Sequence, residues 1–286
     1  MYKKFIQILQ VIKYLLVFPF RQYLRFRRNF SAVTKRQKFI LTAVISSLIL
    51  FSVGYLLEKP SLYIAFFLGL FTISFLFFAV YKDLKNTNSA QVFILPFFYS
   101  LAFGLFYFLV PERLITRIAM TVLYGFGLYS LLLSMNIFIV SSIRTIPLVS
   151  SGRTVSFIVT ILSYFFITNV VFSMHLNVLF MLPLVFGFSF LFVLHSLWTH
   201  SLDSKFFSNV LWVLAISTCL VEIAFILWFW PVVPTIIALF LTGFFYINVG
   251  ISQVWLEKRL FKNIMWEYVW VGSLVFALFI VFAFRE

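Results

Sequence analysis

Apolar residues in this chain come in long runs, each closed by a short polar break. Nine runs of about 18 to 24 residues fall near 39–57, 62–81, 92–110, 118–141, 154–174, 178–198, 208–229, 233–252 and 266–284. The breaks read "EKPS", "KDLKNTNSAQ", "VPERLI", "IPLVSSGR", "MHLN", "HSLDSK", "WPVVP" and "LEKRLFKN". They hold the Pro, Asn, Asp and Lys that end helices. A bilayer core of ~30 Å is crossed by roughly 20 residues at 1.5 Å each. The pattern predicts an all-α fold, a polytopic transmembrane helix bundle of nine spans over residues 37–286, preceded by a segment 1–36 of different character.

In that segment Lys3, Gln7, Gln10 and Tyr14 follow one helical face, and Phe5, Ile8, Leu9, Ile12 and Leu16 follow the other. After Pro19 the polar spacing is repeated by Arg21, Arg25 and Arg28. This predicts a basic amphipathic helix lying on anionic inner-leaflet lipid, with those three arginines as headgroup contacts. Gln7, Gln10 and Lys13 interrupt the apolar run that a signal peptide needs.

Composition agrees with the runs. The chain has 286 residues, 63% hydrophobic and 10% charged, with a mean hydropathy of +1.09; soluble domains carry roughly 25% charge. The net charge of +14 is explained by topology. With a cytoplasmic N-terminus, 18 of the 22 Lys and Arg fall inside and only Lys59, Arg113, Arg117 and Arg285 outside. Nine spans then put the C-terminus outside. No soluble basic domain is left for a nucleic acid. Cys219 is the single cysteine, so no internal disulfide forms, and no metal-binding spacing is present.

"VPERLITRIAMTVLYGFGLY" at the third break resembles "WPVVPTIIALFLTGFFY" at the seventh, offset by about 118–120 residues. Two parallel four-helix halves plus one helix would follow. The stretches "NIFIVSSIRTIPLVSSGRTVSF" and "FWPVVPTIIALFLTGFFYINVGISQVWLEKRLFKNIMWEYVWVG" resemble multi-pass membrane proteins of small, host-dependent bacteria of the candidate-phyla type. The resemblance covers roughly residues 110–286. It implies a bacterial inner-membrane protein and supplies no catalytic residues.

Glu222 is the ionisable group set well inside a span, about seven residues before Trp228 and Trp230, hence ~10 Å below the outer interface. A charged carboxylate at such depth costs ~2.5–3.5 kcal/mol on insertion scales, so it must keep its proton or find a partner. Ala215, Thr218, Cys219 and Glu222 form a small, polar stripe suited to packing against another helix. Asn169 and Tyr124 lie at similar depth on other spans, and Arg113 and Arg117 are near enough in the outer loop to reach in. One reading is an ion or ligand site; the other is an interhelical hydrogen bond within the bundle or to a partner. In "SSIRTIPLVSSGR", Arg144 and Arg153 read either as lipid-headgroup contacts or as topology charges, with Ser150 and Ser151 as a helix cap. Glu257, Lys258, Arg259, Lys262 and Glu267 read as solvated ion pairs on a helix, and His195 and His200 as interfacial.

Nucleotide-binding, metalloprotease and hydrolase motifs are absent, and no catalytic residue, cofactor or metal is expected. Three functions remain. The leading one is a non-enzymatic scaffold or subunit acting through lipid and a membrane protein partner or homo-oligomer. The others are a transporter or channel using Glu222 and a lipid-modifying enzyme. A transporter requires a polar cavity at Glu222, a subunit an uncovered outer face, and an enzyme three or more polar side chains at one inner cleft.

Overall fold

The computed structural model describes residues 34–56, 62–84, 90–111, 113–141, 148–202, 209–258 and 261–283. Among the described residues there are no strands, and nine helices are long and apolar enough to cross a membrane. This is the build of a multi-pass membrane protein. The helices are α1 (Lys35–Leu56), α2 (Leu62–Leu84), α3 (Ile94–Tyr107), α4 (Leu114–Ser141), α5 (Val149–Ser173), α6 (Val178–Ser201), α7 (Val210–Trp228), α8 (Pro234–Leu256) and α9 (Lys262–Ala283). A 3₁₀ turn, Ala90–Phe93, leads into α3. By contact the chain divides into a unit ending at Lys38 and one over Phe39–Glu286.

The punctuation follows the local chemistry. In the first unit, Thr34 and Gln37 cap each other's backbone, with Thr34 N donating to Gln37 Oε1 at 3.1 Å and Gln37 N to Thr34 Oγ1 at 3.4 Å. Pro234 occupies the first turn of α8, where its missing N–H leaves no acceptor short. Three tight exits use left-handed residues other than glycine: His175 after α5, Leu202 after α6 and Lys258 after α8. The last of these falls in the expected break "LEKRLFKN": α8 stops at Leu256 and α9 starts afresh at Lys262. Nor do Ser150 and Ser151 cap α5. Its cap position is Leu148, which makes no side-chain cap bond, and the two serines sit inside the first turn.

Within the second unit α5 is the central helix, the most deeply buried of the nine, and it packs on α3, α4, α6 and α8. Its Tyr164 stacks on Phe245 of α8 at 4.2 Å, and its Phe166 stacks on Phe106 of α3 at 4.1 Å. Bilayer lipid is as apolar as these rings, so packing and hydrogen bonds rather than water exclusion hold such a bundle. At the other extreme, α9 is the least buried of the nine helices and lies on α8. Helices α2, α3 and α4 each touch the other two, and so do α6, α7 and α8.

Candidate functional site

Helix α7 decides where Glu222 points. It packs on α6 and α8 through Val213, Ser217, Leu220, Ala224 and Leu227, all buried. Glu222 lies on the opposite side and is exposed, as are Ala215, Thr218 and Cys219. The small, polar stripe is therefore real but faces away from the bundle rather than onto one of its helices. Among the described residues Glu222 has no hydrogen-bond or ion-pair partner. Thr218 donates only within its own helix, to Leu214 O and Ala215 O. Three pockets line up with other residues: one around Asn209, Trp212 and Trp255, one around His175, Trp228 and Pro231, one around Phe240, Tyr268 and Phe276. None is lined by Glu222, Thr218 or Cys219.

The two residues expected near Glu222 have partners elsewhere. Tyr124 of α4 is fully buried and donates to Ser100 Oγ of α3 at 3.0 Å; Ser100 in turn meets Thr72 Oγ1 of α2 at 2.9 Å. Tyr99 stacks on Tyr124 at 5.5 Å and donates to the Tyr124 carbonyl at 3.0 Å. That close approach needs a glycine, because a Cβ on Gly127 would collide with Tyr99 Oη. Asn169 of α5 donates through Nδ2 to Thr235 Oγ1 of α8 at 3.1 Å and accepts from Ser173 at 3.2 Å. Both residues tie helices together inside the bundle. Arg113 and Arg117 stand at the start of α4, which packs on α2, α3 and α5.

The structure assembles a cluster that the sequence spacing hides, at the end where α5 begins and α6 and α8 finish. Arg153 Nε donates to Thr199 O at 3.0 Å, Nη2 to His200 O at 3.0 Å, and Nη1 to Glu257 Oε1 at 2.9 Å. Glu257 Oε1 also meets His200 Nδ1 at 2.9 Å. The guanidinium thus satisfies two of the last carbonyls of α6, where a cation is favoured by the helix dipole, and ties α8 to α5 and α6 through one carboxylate. Glu257 is consequently part of an inter-helix ion pair with Arg153. Three polar side chains do gather here, as an enzyme would require. They are turned on one another and on the α6 end, and Arg153 directs three of its five donors at protein.

One turn further along α6 from this end lies His195, which is wholly buried within the bundle. Its Nδ1 sits 3.0 Å from the Gln91 carbonyl, which can only accept, so Nδ1 carries the proton. Nε2 then faces Ser156 Oγ at 3.4 Å. Gln253 of α8 donates to the Ser196 carbonyl at 3.2 Å beside it. These contacts join the 3₁₀ turn, α5, α6 and α8 across a polar layer. Arg144, Arg21, Arg25 and Arg28 lie outside the described residues.

A family model described as a protein of unknown function (DUF5656) matches residues 79–282, well over half of the chain. The match covers α3 to α8 entirely and nearly all of α9. No curated protein matches the chain, and no solved structure does.

Proposed function

The chain belongs to the DUF5656 family of proteins of unknown function, and from that premise we propose that it is a non-enzymatic subunit or scaffold of a membrane assembly. One observation carries this reading: Glu222 and its small neighbours occupy the bare side of α7, with no partner in the described part of the chain. A carboxyl group in hydrocarbon is expensive unless another polar group meets it. A face that combines such a group with Ala215 and Thr218 suits contact with a helix from outside the bundle.

We place the protein in a bacterial inner membrane with its N-terminus cytoplasmic. The segregation of Lys and Arg supports that orientation, and the resemblance to membrane proteins of candidate-phyla bacteria supports the source. The basic spacing of Arg21, Arg25 and Arg28, which lie outside the described residues, supports anionic inner-leaflet lipid as a partner. The test is gentle affinity purification from the native membrane, followed by mass spectrometry of proteins and lipids. Recovery of a stoichiometric partner, or of a stable oligomer of the chain, is expected. A monomer with neither at every detergent concentration overturns the reading, and flux measured in proteoliposomes with Glu222→Gln then tests transport instead.

A further inference from the structure

Two tight turns meet at the end of the bundle where α5 and α7 finish and α6 and α8 begin. Helices α6 and α8 pack on each other and each on both α5 and α7. The indole of Trp228, at the end of α7, donates through Nε1 to Leu176 O of the α5–α6 turn at 3.2 Å and ties the two turns together. Between them lies a cavity of about 320 Å³, at the small end of the roughly 300–1,000 Å³ that small-molecule sites occupy. Phe172, Met181 and Ile237 are buried in its wall, and His175, Trp228 and Trp230 form an exposed rim.

We infer that this cavity binds a methylated ammonium group, carried by a free organic cation or by a lipid headgroup. The lining contains no Lys, Arg, Asp or Glu. An anion therefore finds no counter-charge there, and a primary ammonium finds no carboxylate for its three donors. Backbone donors are scarce as well. Pro231 and Pro234 have none, and the N–H groups of His175, Trp230 and Val232 are given to Phe172 O, Leu227 O and Trp230 O. Two helices, α5 at Ser173 and α7 at Trp228, bring their C-terminal ends here, and the carbonyls of such ends favour a cation. The opposing starts of α6 and α8 enter the lining only through Pro234 and through Met181 and Ile237, whose N–H groups are bonded to Asn177 O and Val233 O. Phe172, Trp228 and Trp230 supply the rings that hold a weakly hydrated cation, and Phe279 of α9 braces Trp230 at 5.8 Å between ring centroids. The methyl groups around such a nitrogen need no hydrogen bond and pack on the buried wall. One copy of the chain holds the whole site, so it stands apart from the subunit reading.

The experiment uses the full chain in a maltoside detergent, which carries no ammonium group, and equilibrium dialysis against labelled choline. Choline is expected to bind. Its neutral isostere, with carbon in place of the ammonium nitrogen, should compete about twofold to thirtyfold more weakly, the worth of one cation–π contact. Trp230→Leu should weaken choline binding by a similar factor and Trp230→Phe by less, while Trp270→Leu on the exposed side of α9 should leave it unchanged. The comparison of the two ligands needs no substitution, so it decides the matter even where Trp230→Leu fails to fold. Short-chain phosphatidylcholine that competes more tightly than choline supports the site and assigns the group to a lipid headgroup. Weaker competition supports the site and assigns the group to a free solute. Absence of binding by both, an isostere that competes as well as choline, or phosphatidylglycerol that competes as well as phosphatidylcholine overturns the inference. None of these results bears on recovery of a partner subunit, so the two readings fail separately.

Discussion

Replacing Arg153 by lysine separates two roles that the same charge could serve. Lysine keeps the positive charge that topology and an anionic headgroup require, but it loses the planar fork. Arg153 makes three hydrogen bonds, to Thr199 O, His200 O and Glu257 Oε1. A lysine ammonium at the end of a flexible stem retains one of them. Hydrogen bonds to charged groups are worth about 1.5–3 kcal/mol each. The Arg153 and Glu257 side chains are 26% and 28% exposed, so the lower end of that range applies. Arg153→Lys is therefore expected to destabilise the bundle by about 2–3 kcal/mol. Arg153→Ala should cost more, because the α6 carbonyls and the carboxylate lose every donor on that side. Unfolding in detergent micelles, followed by tryptophan fluorescence, measures both. A cycle of Arg153→Ala and Glu257→Ala should show coupling of about 1 kcal/mol or more. If Arg153→Lys unfolds at the wild-type midpoint, the clamp is refuted and Arg153 acts only as a charge at the membrane surface.

Further outcomes follow from close approaches between helices. Gly127→Ala should destabilise by about 2–4 kcal/mol, since its methyl displaces the buried Tyr99 hydroxyl from the Tyr124 carbonyl. Tyr99→Phe should relieve part of that cost, and strictly additive losses in the same unfolding assay would contradict the geometry. Gly250→Leu drives a side chain into Tyr268, whose ring would already lie 2.5 Å from a Cβ there. Because α9 packs chiefly on α8 among the described residues, the variant should release α9 and leave the rest folded. Faster thiol labelling at an introduced Ser273→Cys, with labelling at Ile158→Cys unchanged, is the expected readout.

The polar residues show how far a one-dimensional reading reaches. Glu222 stood out because it interrupts an apolar run, and its small neighbours were legible from helical spacing. Which way they face was not. Arg153 was visible as a charge at a span boundary, yet its carboxylate partner lies 104 residues away and no spacing rule connects them. His195 read as interfacial from its nearness to a span end. It is buried because α5 and the 3₁₀ turn before α3 close over that part of α6 and offer Ser156 and the Gln91 carbonyl.

Number, length and order of the helices were determined by the sequence alone, because the bilayer sets a minimum apolar length and that length is a property of consecutive residues. The tertiary structure alone decided which face of each helix is inward. In water a helix announces its inner face by hydrophobicity, but here both the core and the lipid are apolar, and on α7 leucine stands on the buried side (Leu220, Leu227) and on the exposed side (Leu211, Leu214) alike. Facing is then settled by what fits closely: glycine beneath a tyrosine ring, a serine opposite a hydroxyl, a guanidinium over a helix end. Those fits exist only between segments far apart in the chain, so they become visible only when the helices are assembled.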